Sequence, residues 1–146
     1  MSTIKEFLTA DHSKCDDLFA KMEEKAGESL TAARELCQDF RNETERHFQM
    51  EERVMFLEFE NKTGMTQGPT AMMRQEHTQM RALMSQMLEA IDADNKDKFF
   101  GLSETLMILL QQHNMKEEQM LYPMVQQYLS GESDCVVDMM NSLIVE

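Results

Sequence analysis

The sequence predicts an all-α protein, an antiparallel up-down-up-down four-helix bundle built from two duplicated hairpins, with a short C-terminal helix or tail. Three observations lead there. The chain carries sixteen Met but only two Pro and five Gly, so it has few residues that interrupt a helix, and Val and Ile are too scarce for strands. Four long segments place apolar residues three and four apart, the period of a helix with one buried face. The breaks between these segments are short, which folds successive helices back against each other.

The first helix runs from about Thr3 to Ala26. Thr3 and Glu6 have capping-box spacing, and Gly27 is a plausible stop. Its buried stripe is Ile4, Leu8, His12, Cys15, Phe19 and Met22. The second starts after Ser29 and runs to about Glu60, with Leu36, Phe40, His47, Glu51 and Val54 inward. "NKTGMTQGP" is a loop of turn formers, and Pro69 suits the first turn of the third helix. That helix reaches Ala93 with Met73, His77, Met80, Met84, Met87 and Ile91 inward. Asp94 can cap the fourth, which extends to about Leu129 and turns Leu106, Leu110, His113, Glu117, Met120 and Met124 to the core. "SGES" ends it. The expected organisation is a bundle over 1–130 and a tail or short helix over 131–146 that covers the bundle or a partner.

With 146 residues and 42% hydrophobic content, one domain can bury a full-sized core without disulfide staples. The formal net charge of −13 argues against nucleic acid or an anionic membrane surface as partner. Cys15, Cys37 and Cys135 match neither a disulfide framework nor a zinc motif. No signal-peptide pattern precedes the first helix, and no apolar run nears the roughly 20 residues of a membrane span. The expectation is a soluble protein of a reducing compartment, the cytoplasm.

The chain's four histidines each interrupt one apolar stripe near mid-helix. The halves also align. "DHSKCDDLF" matches "EHTQMRALM", and "HFQMEERVMF" matches "HNMKEEQMLY", with offsets of 65 (His12 to His77) and 66 (His47 to His113). Each hairpin thus has a lone His on its first helix and His-x3-Glu on its second. Residues i and i+4 are about 40° apart around a helix, so Glu51 shares a face with His47 and Glu117 with His113. Glu52 and Glu118, at i+5, are turned about 140° away and are expected to face solvent. Paired about a pseudo-two-fold axis, the hairpins converge four imidazoles and two carboxylates. Buried carboxylates without a basic partner are unfavourable and repel each other; a metal resolves this. Imidazole with carboxylate suits iron, manganese or zinc, and the set fits two ions, each with two histidines and both bridged by the glutamates. The candidate ligands are His12, His47, Glu51, His77, His113 and Glu117.

Other residues have plainer roles. The methionines are read as packing around the site, with a polarisable lining that suits small uncharged gases. Cys15, a turn from His12, reads as a structural thiol, with a place near the metals as the alternative, and Tyr122, five residues after Glu117, reads as packing, with a redox or ligand-supporting role as the alternative. Asp11 and Glu76, next to candidate histidines, are expected to point to solvent, because adjacent residues point apart on a helix, with hydrogen bonds to imidazoles as the alternative; Thr44 is a candidate hydrogen-bond donor toward the centre.

These motifs resemble the hemerythrin-like (HHE cation-binding) family over about residues 3–129. The resemblance implies a four-helix bundle around a non-haem di-iron centre, oxo- or hydroxo-bridged. Oxygen carriers of the family have a fifth histidine four residues before the one on the third helix, where this chain has Met73, and a last carboxylate as His-x4-Asp. The sequence therefore resembles the four-His, two-Glu subgroup that includes the repair-of-iron-centres proteins. Those usually carry an additional cysteine-containing N-terminal domain, and this sequence starts at the first helix. The resemblance implies a protein that binds or reacts with oxygen, peroxide or nitric oxide; the alternative is an iron storage or delivery protein without catalysis.

Overall fold

The computed structural model describes residues 2–146. Helix α1 is Ile4–Glu28. Helix α2 is continuous in three pieces: Arg34–Met50, a π-helical turn Glu51–Met55, and Phe56–Thr63. Helix α3 is Pro69–Asp92. Helix α4 repeats the plan of α2, with Lys96–Lys116, a π-helical turn Glu117–Leu121, and Tyr122–Tyr128. A short α5, Ser133–Asn141, follows. Among the described residues there is no strand.

The ends follow local chemistry. Thr3 Oγ1 accepts the Glu6 backbone N–H at 3.1 Å, the N-cap arrangement its spacing foretells. Gly27 does not stop α1, which continues to Glu28 and ends at extended Ser29. Gly64 ends α2 at φ 75°, in the left-handed region open to glycine. The cap of α4 is Asn95 rather than Asp94: the Asn95 side chain accepts from the Lys98 N–H at 3.1 Å. Asp94 instead makes the turn, at φ 53°, a conformation aspartate tolerates better than most residues.

Helix α1 packs on α2 and α3 on α4, and the two hairpins join through α2 with α3 and α1 with α4. The core is divided. One apolar plug, with Phe19, Met22, Phe40, Met84, Met87 and Phe99, fills the end near the α1–α2 and α3–α4 turns. The other, with Ile4, Leu8, Met55, Phe59, Tyr122 and Val125, fills the opposite end. The candidate histidines and glutamates belong to neither plug. Helix α5 packs on α1 and on the π turn of α2, inserting Val136 and Met140 into the second plug. The chain end is then strapped to α2: Arg46 donates to the Leu143 carbonyl at 3.1 Å and Arg53 to the Ile144 carbonyl at 2.8 Å. The tail thus covers the bundle. Met140 is fully buried, so Met140→Ala is expected to lower unfolding stability by about 2 kcal/mol or more, measurable by urea denaturation.

Not all the methionines lie inside. Met50, Met55, Met73, Met80, Met84 and Met87 are buried, but Met72, Met115 and Met120 are exposed. Met120 was expected on the core stripe of α4. The π turn beginning at Glu117 closes from Tyr122 N–H to Glu117 O, and this wider turn rotates Leu121 and Tyr122 inward in place of Met120.

Candidate metal centre

The structure brings all six candidate residues together. His12, His47, Glu51, His77, His113 and Glu117 are each at most 4% exposed. They form two overlapping groups, His12/His47/Glu51/Glu117 and Glu51/His77/His113/Glu117, with ligand atoms within 4.8 Å of one another in each. Both glutamates belong to both groups. The ring centroids of His12 and His47 are 4.6 Å apart, and those of His77 and His113 are 4.9 Å apart.

Each imidazole is held from behind by a carboxylate of another helix. His47 Nδ1 lies 2.7 Å from Asp11 and His113 Nδ1 lies 2.7 Å from Glu76. His12 Nδ1 lies 2.7 Å from Glu118 and His77 Nδ1 lies 2.6 Å from Glu52. An ionised carboxylate only accepts, so each Nδ1 carries a proton, and in the neutral ring that a metal would bind the Nε2 lone pair faces the interior. Glu52 and Glu118 do not simply face solvent as their spacing foretells, and Asp11 and Glu76 take the alternative, a hydrogen bond to an imidazole. Turning away from the histidine on its own helix points each carboxylate across the interface at the histidine of a neighbour. The duplication is retained: Asp11 corresponds to Glu76, and Glu52 to Glu118. Glu52 is gripped by Arg81 through two bonds of 2.9 and 3.0 Å, and Glu76 by Lys116. Phe48 stacks on His77 at 3.9 Å between centroids.

Both π turns begin at a candidate glutamate. Phe56 N–H reaches Glu51 O and Tyr122 N–H reaches Glu117 O, so residues five apart share a face that an α-helix would separate. Tyr122 thereby enters the centre, and its role exceeds the packing expected of it. Its hydroxyl donates to Glu51 Oε2 at 2.6 Å and lies 3.0 Å from Glu117 Oε1 and 3.1 Å from His12 Nε2. π turns are rare and concentrate at functional sites. The sequence signals Tyr122 by its place five residues after Glu117 and as the counterpart of Phe56 in the duplicate frame.

The donor set fits a cation. Glu51 Oε1, Glu117 Oε2, His77 Nε2 and His113 Nε2 are buried without hydrogen-bond partners. His77 Nε2 lies 3.1 Å from Glu51 Oε1 but is not aligned to bond with it. Burying such atoms without a partner is unfavourable by several kcal/mol in all, and a metal ion would satisfy them. Without metal the glutamates favour the protonated forms of His47, His77 and His113 instead. Burial works against a charged His113, but the Glu117 carboxylate beside it, with Glu51 and Glu76, outweighs burial and holds His113 up to about 9. His47 and His77 are shifted in the same direction against burial, chiefly by Glu51. The folded value for His113 thus exceeds the unfolded one near 6.5. Its stabilisation is complete below about pH 6.5 and is lost as pH rises through about 9. The metal-free protein is expected to lose thermal stability across that window, and the metal-loaded protein, with Nε2 engaged, to lack that slope.

Cys15 and Cys37 stand outside both groups, and burial pushes each thiol up to about 11, which keeps it protonated and unreactive. Thr44 is buried with its hydroxyl unpaired.

A helical bundle with a buried histidine–glutamate cluster at its waist defines a cation-binding protein. The sequence matches the hemerythrin HHE cation-binding domain over residues 3–125, most of the chain. The protein belongs to that family, and its cluster has the composition of the four-His, two-Glu subgroup. Searches of curated proteins and of solved structures return no match. No helix of the described residues is long and apolar enough to cross a membrane.

Proposed function

We propose that this is a non-haem di-iron protein that binds or reacts with a small ligand: oxygen, peroxide or nitric oxide. The observation that carries this reading is the pair of four-residue groups sharing Glu51 and Glu117, with four of their donor atoms buried and unpartnered by any protein group. His12 and His47 would hold one iron, His77 and His113 the other, and Glu51 and Glu117 would bridge. Six protein ligands leave two octahedral ions unsaturated, which leaves room for a small molecule. The bound pair would supply redox chemistry. The chain's own residues prepare the place for it. Asp11, Glu52, Glu76 and Glu118 fix the rings and accept the Nδ1 proton, which leaves Nε2 as the atom turned to the metal. The Tyr122 hydroxyl holds a proton at Glu51 Oε2, and the two apolar plugs exclude water. The three free cysteines accord with a cytoplasmic setting.

The test is optical titration of anaerobically purified, iron-replete protein with oxygen, peroxide and nitric oxide. A saturable change in the iron absorption with at least one of the three is the expected result. Rapid loss of iron to a chelator, with no response to any of them, would instead identify a storage or delivery protein.

A further inference from the structure

The duplication makes the two candidate metal positions equivalent in ligands but not in surroundings. We infer that the small ligand is taken at the His77–His113 position, through the methionine-lined groove over Met73 and Leu121, while Tyr122 closes the His12–His47 position. This rests on the function proposed above and adds to it a site and a route.

The first asymmetry is Tyr122 against Phe56, positions related by the 66-residue offset of the second helices (His47 to His113). The Tyr122 oxygen lies 3.1 Å from His12 Nε2, 3.4 Å from His47 Nε2, 2.6 Å from Glu51 Oε2 and 3.0 Å from Glu117 Oε1. It lies within hydrogen-bond reach of the donors of the first group and leaves less room there for an added ligand. Phe56 offers the second group only an apolar ring, 5.9 Å from His77. The unpartnered donors accordingly include both histidines of the second group, His77 Nε2 and His113 Nε2, with Glu51 Oε1 and Glu117 Oε2.

The second asymmetry is access. An apolar groove of about 340 Å³ opens between α3 and α4, walled by Met72, Met120 and Met124 and reaching Met73 and Leu121. Met73 and Leu121 are buried. Met73 precedes His77 by one turn, roughly 6 Å along the helix, and helical side chains lean toward the N-terminus, so the His77 ring leans over the turn of Met73. Leu121 follows Glu117 by four residues and leans back toward it. On the other side of the pseudo-two-fold the corresponding residues are Leu8 and Met55. Both are fully buried in the plug that Val136 and Met140 of α5 complete. The tail thus seals one approach and leaves the other open.

The third asymmetry is charge. Arg81 and Lys116 neutralise Glu52 and Glu76 beside the second group. Their counterparts by the same offsets are Asp16 and Met50, and among the described residues no Lys or Arg is paired with Asp11 or Glu118. A ligand that gains electron density on binding is favoured where the field is less negative. An uncharged molecule suits the apolar groove, and one that becomes anionic on binding suits the place it leads to.

The test counts nitric oxide bound by the diferrous protein, after its iron content has been measured. The wild type is expected to bind one per chain. Phe56→Tyr, which sets a phenol at the open position, is expected to weaken binding by about tenfold or more. Tyr122→Phe keeps the first nitric oxide and gains a second. Met73→Trp, which fills the end of the groove, slows association while iron content stays unchanged, and decides the matter if Phe56→Tyr does not fold. Wild-type binding of two per chain would overturn the inference. So would a Phe56→Tyr protein that binds normally, a Tyr122→Phe protein that gains no second nitric oxide, or a Met73→Trp protein with unchanged association. A wild type that holds no iron fails at the earlier measurement, and with it the proposed function itself.

Discussion

Glu51→Ala is expected to empty both metal positions, whereas His12→Ala is expected to empty only one. The reason is the overlap of the two groups: Glu51 and Glu117 belong to both, and each histidine to one. Removing Glu51 takes one oxygen from each position and leaves both with a single carboxylate. It also takes the acceptor from the Tyr122 hydroxyl, which then competes for the remaining carboxylate. The loss of affinity is expected to exceed the roughly 10- to 100-fold typical of groups that only orient ligands. Elemental analysis reads the result directly. Glu51→Ala should carry almost no metal, and His12→Ala about half the wild-type amount, with His77 and His113 still in place. Equal losses from both variants would mean that the groups do not share a bridge.

The second large effect is expected from residues that are not candidate ligands. Glu52→Ala and Glu118→Ala should each lower metal affinity by about 10- to 100-fold. Without its carboxylate an imidazole loses the contact that fixes its tautomer and plane. The effects should be separable by position, since Glu52 holds His77 and Glu118 holds His12. Glu52→Ala also leaves Arg81 with Glu45 alone, and should be the more disruptive of the pair. Competition with a graded chelator measures both. Affinities equal to wild type would return these glutamates to the solvent-facing role that helical periodicity assigns them.

That misassignment shows where sequence reasoning reaches its limit. The stripes of α1 to α4, their order, and the six candidate ligands follow from spacing within single helices and from the internal repeat. The orienting carboxylates do not, because a helical wheel reports which way a side chain leaves its own helix and not what it then meets. Asp11 turns away from His12 and for that reason reaches His47. The π turns defeat the wheel in another way. A rotation of about 100° per residue sends Tyr122 away from Glu117 and Met120 inward, and an i→i+5 turn reverses both. Asn95 rather than Asp94 caps α4 because Asp94 is taken up by the turn. The repeat held more than the ligand set. Asp11 with Glu76, Glu52 with Glu118, and Phe56 with Tyr122 all recur at the same offsets as the histidines, and the one chemically unlike pair among them, Phe56 with Tyr122, is where the surroundings of the two candidate metal positions differ.

The central claim, two metal ions held by one shared set of six residues, is tested most directly by anomalous scattering at the iron edge from crystals of the iron-replete protein. The expected map has two peaks per chain, one between His12 and His47 and one between His77 and His113, both flanked by Glu51 and Glu117. A single peak, peaks only at exposed acidic residues, or an empty centre in protein purified from iron-replete cells would contradict it.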